Sequence, residues 1–343
     1  LINPNSNTCP VFRSRYDAEL TKKIYRRFPV LIDQSKGGAG NPWGIKLRRM
    51  FDKTNDMKKG ILVPASHAEE IKKLGERPLP VYEGSHGHQF NHRYATFEGG
   101  DFRELTDEEL ANPHFQLGFE LVVRESDFRA KVEAWGLEER PVFLAFRRVT
   151  RSTDERTVIA TLLPWLPTTY GWILCVNPPP EDAAILVAVF NSFVFDYLLR
   201  NALSQPSIPQ GVFEQIPAPT PGDLTAEDRR FIVERVLELT YSAWDMQPFA
   251  QSLGYNGPPF PWDPARRAIL RAELDAYIAH LYGLSRDELR YILDPADVFG
   301  EDYPSETFRA LKHRELRELG EYRTRRLVLD AWDRLVTQEY ISK

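Results

Sequence analysis

Residues 181–203 read EDAAILVAVFNSFVFDYLLRNAL, and the rest of the chain can be arranged around them. Apolar side chains surround almost the whole circumference of a helix drawn through this stretch, and no glycine interrupts it. A helix that is apolar on all sides is buried in a protein core. We therefore predict one buried helix over 181–203, which ends at Ser204.

Three short runs before this helix favour β-strands. They are VFLAF (142–146), TVIATLL (157–163) and YGWILCV (170–176), and they are rich in β-branched and aromatic residues. Such side chains pack well on the pleated surface of a sheet. We predict a sheet region over 82–176, with the helix of residues 181–203 packed against it.

A proline-rich connection follows the helix. IPAPTPG (216–222) cannot continue a helix or a central strand, because proline lacks a backbone N–H group. Helical periodicity follows, and Thr225 with Asp228 is a variant of the capping box. The helical patterns cover residues 225–245, 263–282, 285–293 and 305–340. The expected fold class is α+β, with a mixed sheet and packed helices over 1–222 and a mainly helical region over 223–343.

The composition is that of a globular protein. The 343 residues are 42% hydrophobic and 27% charged, which supplies enough apolar surface for two or three packed units. The sequence has no apolar run of about 20 residues that could span a bilayer. Cys9 and Cys175 are too few for a disulfide framework, and the start of the chain has no signal-peptide pattern, so we expect a cytoplasmic protein. An opening Leu1 suggests a piece of a longer protein.

Positive charge is concentrated in the first sixty residues. The net charge is −5, yet residues 1–60 hold 13 lysines and arginines against 5 acidic residues. This basic segment is either a solvated surface or a patch that faces phosphates. The cations that would contact phosphates are Lys22, Lys23, Arg26, Arg27, Arg48 and Arg49.

Two motifs that suggest enzyme chemistry are incomplete. GGAG (37–40) lacks the spacing and the Lys-Ser/Thr pair of a phosphate-binding loop, so we interpret it as a flexible loop. NPPP (177–180) resembles the Asn-Pro-Pro-aromatic motif of amino-group methyltransferases, but Pro180 replaces the ring that stacks on a flipped base. We interpret it as a proline-rich turn into the buried helix, and we assign no catalytic residue.

Three histidines occur in GSHGHQFNHRYATF (84–97). His86, His88 and His92 could bind zinc if they shared one face of a strand. The sequence supplies no clustered cysteine or carboxylate to complete the site, so no metal is assigned. The alternatives are a hydrogen-bonding surface or a surface that contacts base edges. In the latter case the contacting residues would be Gln89, Asn91 and Arg93.

The stretch FRRVTRSTDERTVIATLL (146–163) is the strongest candidate for binding nucleic acid. Arginines alternate with short hydroxyl side chains between two β-favouring runs, where a hairpin would project them. Guanidinium groups and hydroxyls suit phosphates and guanine edges. The alternative is a charged hairpin tip whose arginines pair with Asp154 and Glu155. The expected groove contacts are Arg148, Arg151, Ser152, Thr153 and Arg156, with Ser204, Gln205, Ser207 and Gln210 on the loop after the helix.

Several stretches resemble one family over nearly the whole chain. They are NSNTCPVFRS (5–14), DAELTKKIYRRFPVL (17–31), NPWGIKLRRMFDKTND (41–56), VYEGSHGHQFNHRYATFEG (81–99), RSTDERTVIATLLP (151–164), NSFVFDYLLR (191–200), IPQGVFEQIPAPTP (208–221) and GEYRTRRLVLDAWDRL (320–335). They are similar to the carboxyl-terminal part of bacterial restriction-modification enzymes of types IIG and ISP, which are adenine-specific DNA methyltransferases. Residues 191–221 are also similar to the half-domains of type I specificity subunits.

The resemblance implies that the chain recognises a sequence in double-stranded DNA. Residues 1–222 would form the target recognition domain, and residues 223–343 a helical extension. Methyl transfer from S-adenosylmethionine to adenine N6 would belong to a core before Leu1 in the parent enzyme, in cis or in trans. No cofactor and no membrane partner are expected for this chain itself.

Two other functions remain open at this point. The helical region could be a protein-interaction module that docks a separate methyltransferase, translocase or nuclease subunit. A self-sufficient methyltransferase that uses Asn177 would bind S-adenosylmethionine by itself, which we do not expect.

Overall fold

The computed structural model describes residues 4–5, 12–303 and 307–341. It contains helices and small antiparallel sheets, so the expected α+β class is confirmed. The expectation of a mixed sheet is wrong for the described strands, because all paired neighbours run antiparallel. Cys9 and most of the stretch 5–14 lie outside the described residues. The helices are α1 (Arg15–Arg27), α2 (Lys53–Lys58), α3 (Ala68–Lys73), α4 (Asp107–Ala111), α5 (Glu125–Glu133), α6 (Pro180–Asn191), α7 (Phe193–Ala202), α8 (Gln210–Phe213), α9 (Ala226–Thr240), α10 (Gln247–Ser252), α11 (Pro264–Leu281), α12 (Arg286–Leu293), α13 (Pro295–Phe299), α14 (Arg309–Leu319) and α15 (Arg323–Ile341). The strands are β1 (Lys46–Arg48), β2 (Leu62–Pro64), β3 (Pro78–Pro80), β4 (Ala95–Glu98), β5 (Asp101–Glu104), β6 (Leu121–Arg124), β7 (Val142–Arg147), β8 (Ala160–Pro164) and β9 (Trp172–Val176).

The central sheet has four strands in the order β1-β9-β7-β8, and all its neighbours are antiparallel. The three predicted β runs form β7, β8 and β9. Because directions alternate, β1 and β7 end at the same end of the sheet at which β8 and β9 begin. We call this the basic end, since Arg48 and Arg147 are the last residues of β1 and β7. The smaller sheets are β2-β6-β3 and β4-β5.

Both faces of the central sheet are buried. Leu144 and Phe146 of β7 face the apolar cluster formed with the helices. Phe143 and Ala145, on the opposite face, belong to a second cluster with the β2-β6-β3 sheet. A strand that is covered on both faces has a continuous apolar run instead of alternating polarity, and this explains the uninterrupted composition of residues 142–146.

The predicted helix over 181–203 is two helices. α6 and α7 meet at Ser192 with a bend of 61°. Ser192 has φ −66° and ψ 150°, and its hydroxyl accepts a hydrogen bond from the Phe195 N–H at 3.2 Å. The single-helix prediction was wrong because a serine that caps α7 also ends α6. No single helix within the described residues is long and apolar enough to cross a bilayer, and this bent, buried pair reaches that length only together.

The helical predictions after residue 222 are largely confirmed. Thr225 caps α9, and its side chain and that of Asp228 form the predicted reciprocal bonds. The pattern over 305–340 forms two helices, because Gly320 adopts φ +74° after α14. A left-handed residue of this kind ends a helix. Residues 304–306 lie outside the described part.

One apolar cluster extends across residue 222. It contains Leu144 of the sheet and Ile185 of α6, together with Ile232 of α9 and Ile278 of α11. The helical region therefore packs on the same core as the sheet region, and α6 lies against both α9 and the strands β7 and β8.

Candidate functional site

The β7–β8 connection, residues 148–159, leaves the basic end of the central sheet. Its first residue is held between two neighbours, since the Arg148 N–H donates to the Gly171 carbonyl and the Arg148 carbonyl accepts from the Ile208 N–H, both at 2.9 Å. The loop of residues 203–209 after α7 therefore lies directly beside the connection. Two groups of predicted groove residues, one on each segment, are brought together here.

A buried carboxylate of α7 anchors the β7–β8 connection. Asp196 of α7 is fully buried, and it accepts hydrogen bonds from Arg156 Nε at 3.0 Å and Arg200 Nε at 2.7 Å. The same carboxylate accepts the main-chain N–H of Thr157 at 3.0 Å. Two guanidinium groups and a backbone donor thus converge on one acid. Charge-assisted bonds of this kind fix a loop more firmly than neutral ones.

Arg200 extends the anchor to the main chain of the connection. Its guanidinium donates to the carbonyl oxygens of Ser152 at 3.0 Å, Asp154 at 2.6 Å and Glu155 at 2.8 Å. These bonds use backbone atoms, so the side chains of Arg151 and Thr153 stay exposed. The connection therefore has a fixed main chain and a polar outer surface.

The exposed groove candidates form one surface, which we call the outer surface. Ser204 and Gln205 are exposed, and Ser207 and Gln210 are half-buried. Arg148 is half-buried, and its Nε atom is buried without a hydrogen bond in the described structure. The members of the outer surface are Arg148, Arg151, Ser152, Thr153, Ser204, Gln205, Ser207 and Gln210.

Four other groove candidates are part of the interior. Gln89, Asn91, Arg93 and Arg156 are each 5% exposed or less. Gln89 Nε2 donates to the Val158 carbonyl at 2.7 Å, and Asn91 Oδ1 accepts from the Arg93 N–H at 3.0 Å. Base edges cannot reach these side chains in this conformation. The prediction that these four residues contact a DNA groove was therefore wrong for this conformation. Their side chains support the surrounding loops.

The predicted phosphate contacts separate into two groups. Arg48 and Arg49 are at the basic end, where the Arg49 guanidinium lies 5.3 Å from the centre of the Tyr170 ring. The other four are exposed on α1, which packs elsewhere: Lys23 pairs with Glu288 of α12 at 2.6 Å. Only the first group adjoins the β7–β8 connection through a shared strand end. The exposed α1 cations are Lys22, Lys23, Arg26 and Arg27.

The three histidines have separate environments. His86 Nδ1 accepts the Glu83 N–H at 2.9 Å, and burial lowers the pKa of His86 to about 4. Burial, followed by the nearby Arg147, lowers the pKa of His88 to about 3. His92 Nε2 lies 2.9 Å from the Asp245 carboxylate. No cluster of three metal-ligating groups occurs in the part of the chain that the structure describes.

The NPPP turn leads directly into a helix, as predicted. Asn177 has φ +90°, and Pro180 is the first residue of α6. The Asn177 amide donates to the Gly44 carbonyl at 3.4 Å. GGAG (37–40) is a 3-10 turn that follows Asp33, not an open loop.

The sequence did not indicate a charged cavity that the structure forms between α11, α14, α15 and the β7–β8 connection. We call it the arginine cavity, and its volume is about 150 Å³. Its arginines come from the β7–β8 connection, from α11, and from the consecutive helices α14 and α15. The charged side chains that line it are Arg156, Arg271, Arg314, Arg323, Asp275 and Glu315, with Glu155 beside Arg314.

Asp275 makes the stability of the fold depend on pH. Burial raises the pKa of this carboxyl to about 6, although Arg156 and Arg271 oppose the shift and Asp196 adds to it. The folded chain therefore holds the proton more tightly than the unfolded chain. The resulting stabilisation is complete below about pH 4, and it is lost as the pH rises through about 6.

We expect Asp275→Asn to remove this dependence. Asparagine can still accept the Phe193 N–H bond, which is 2.8 Å in the structure. The unfolding free energy of the native chain should fall by roughly 2–3 kcal/mol between pH 4 and 7 because of Asp275, and that of the variant should not show this fall. Urea titrations at several pH values measure this difference. Asp287→Asn, at an exposed position of α12, is the control, and parallel profiles for Asp275→Asn and the native chain would refute the prediction.

Comparisons with known proteins add no family to this geometry. No protein-family model matches the chain, and a search of curated proteins finds no match. The resemblance to restriction-modification enzymes stays a prediction.

Proposed function

We propose that this chain recognises double-stranded DNA as the target recognition part of a bacterial adenine-N6 DNA methyltransferase. The outer surface would meet the groove, and Arg48 and Arg49 would contact flanking phosphates. S-adenosylmethionine would bind a catalytic core outside this chain, in cis or in trans. The single observation that carries the proposal is the β7–β8 connection, whose main chain is anchored while the side chains of Arg151 and Thr153 are exposed to solvent.

The physical argument has two parts. Phosphate contacts supply most of the affinity for DNA and fix the orientation of a protein on the duplex. Base contacts need side chains that are held in place but not consumed by internal bonds. Thr153 meets this condition, because Arg200 holds the Ser152 and Asp154 carbonyls on either side of it. Arg151 directly precedes Ser152, and its own N–H donates to the Asp154 carboxylate at 2.8 Å. The adjoining serine and glutamine side chains widen the polar surface without adding negative charge.

Salt-dependent binding of a labelled duplex tests the proposal. The native chain should bind DNA at low ionic strength, with affinity that falls steeply as salt rises. Arg148→Ala combined with Arg151→Ala should weaken binding by about tenfold or more, and should reduce the salt slope by about 2 if both residues contact phosphates. Fluorescence anisotropy over a series of salt concentrations measures both quantities.

Arg129→Ala is the matched control for this experiment. Arg129 is an exposed arginine on α5 that pairs with Glu125 of the same helix at 2.7 Å. Its loss should leave the affinity unchanged. Absence of binding at low salt, or equal affinity of the double variant and the native chain, would contradict the proposal.

A second candidate function is a protein-docking module. Leu316 and Leu319 of α14 lie three residues apart, and each is more than 40% exposed. Two leucines at this spacing share one helix face. Binding of a partner subunit through this face would be largely insensitive to salt, unlike phosphate contacts. Leu316→Ser with Leu319→Ser should then abolish partner binding and leave DNA binding intact.

A further inference from the structure

We propose that the arginine cavity is a binding site for a phosphate-class oxyanion. The cavity lies between α11, α14 and α15, and the β7–β8 connection forms part of its wall. The proposal does not depend on DNA recognition, because it rests on the charges and unused donors of the cavity itself.

Two of the four arginines already have acidic partners. Arg156 pairs with Asp196 at 3.0 Å, and Arg314 pairs with Glu155 at 2.5 Å. Each of these two guanidinium groups therefore has a carboxylate as its counter-charge.

The other two arginines have no ion pair among the described residues. Arg271 donates to the neutral Gln89 Oε1 at 2.8 Å, and no carboxylate lies within ion-pair distance of its guanidinium in the described structure. Arg323 has no side-chain hydrogen bond within residues 12–303 and 307–341, and its Nε atom is buried. A buried donor without a partner loses roughly 1–3 kcal/mol relative to one that is satisfied. An oxyanion between the two guanidinium groups would supply the missing acceptors.

The acids of the cavity do not supply those acceptors. Glu315 is occupied at the start of α15, where it accepts the Thr324 N–H at 2.8 Å and the Thr324 hydroxyl at 2.5 Å. Asp275 accepts the Phe193 N–H at 2.8 Å, and among the described residues no ion pair joins Asp275 or Glu315 to Arg271 or Arg323. The guanidinium groups of Arg271 and Arg323 therefore keep donors that the acids of the cavity do not take up.

Size and shape indicate a small ligand. A volume of about 150 Å³ is below the roughly 300 Å³ of pockets that enclose drug-sized molecules. The side chains of Arg314 and Glu155 are about 40% exposed and mark the mouth, whereas Arg156 is 5% exposed at the floor. A planar guanidinium binds two oxygens of one phosphate group. A single phosphoryl or sulfate group fits these constraints.

The same chemistry has two sources, namely free inorganic phosphate and a phosphodiester of DNA. Glu155 at the mouth belongs to the β7–β8 connection, so a duplex on the outer surface would place its backbone near the cavity. Inorganic phosphate is the probe that tests the site without reference to DNA.

Calorimetric titration of the full chain with sodium phosphate, at constant ionic strength in chloride, tests the site. The native chain should bind phosphate with one site per chain, and sulfate should compete. Arg323→Gln should weaken binding at least tenfold. The fold should tolerate this change, since Arg323 makes no side-chain hydrogen bond in the described part of the chain.

Arg317→Gln is the matched control on the neighbouring helix. The Arg317 side chain is 72% exposed and pairs only with Glu318 among the described residues. It should bind phosphate as the native chain does. No binding of phosphate by the native chain, or equal loss in the Arg317 and Arg323 variants, would overturn the proposal.

Competition with a short duplex identifies the source. If the duplex displaces phosphate and Arg323→Gln weakens duplex binding, the site takes a DNA phosphate. If phosphate and duplex bind independently, the site takes the free anion. Phosphate binding without any DNA binding would support the cavity and reject the proposed function, whereas DNA binding without phosphate binding would do the reverse.

Discussion

Asp196→Ala should destabilise the protein by about 3–5 kcal/mol, because it leaves two buried guanidinium groups without their shared carboxylate. Arg156 and Arg200 both donate to Asp196, which is fully buried at the core end of the β7–β8 connection. The Thr157 N–H loses its acceptor as well. Urea unfolding followed by circular dichroism measures the loss.

Two variants make this result specific. Asp196→Asn keeps an acceptor but removes the charge, so its loss should be smaller than that of the alanine variant. Glu227→Ala, at an exposed position of α9, should change stability by less than about 0.5 kcal/mol. An Asp196→Ala variant within about 1 kcal/mol of the native chain would show that the carboxylate is not the anchor.

Arg93→Met is expected to have an effect of similar size, about 3–5 kcal/mol. Arg93 is 1% exposed, and its guanidinium donates to the carbonyls of Asn112 at 3.0 Å, Leu110 at 3.1 Å and Ser242 at 3.2 Å. Methionine fills much of the volume but leaves three buried carbonyls without these donors. Ser242 follows residue 222 and the other two precede it, so the bonds join the sheet region to the helical region.

This substitution also tests how the two regions unfold. Because they share one apolar cluster, the native chain should unfold in one transition, and Arg93→Met should lower its midpoint without splitting it. Tryptophan fluorescence and far-ultraviolet circular dichroism, recorded on the same urea series, should coincide. An unchanged midpoint would refute the role of Arg93. The control is Arg77→Met, at an exposed position, which should leave the midpoint unchanged.

The parts of the fold that could be predicted are those that depend on local pattern. The strands at 142–147 and 172–176 have continuous apolar runs, which are typical of strands covered on both faces of a sheet. The break at Ser192 could not be predicted from apolar periodicity, because the apolar pattern continues through it. Its local signal was the serine itself, which is a favoured capping residue.

The burial of polar side chains could not be predicted, because distant partners decide it. Gln89 is bonded to Val158, and Arg93 to Ser242, which is 149 residues away. From composition alone, residues 86–94 resemble a solvated surface. The arginine cavity has the same origin, since Arg271 and Arg323 line one cavity only when α11 packs on α15. A single sequence has no local feature that predicts contacts between such distant residues.

The way in which Arg200 holds the β7–β8 connection has a consequence for natural variation. Every residue has a main-chain carbonyl oxygen. The hydrogen bonds from Arg200 to Ser152, Asp154 and Glu155 therefore do not depend on which side chains occupy those positions. Mutations that alter Arg151 or Thr153 can accumulate without endangering the scaffold. The exposed side chains of this segment can therefore diverge in sequence while the anchored main chain beneath them stays the same.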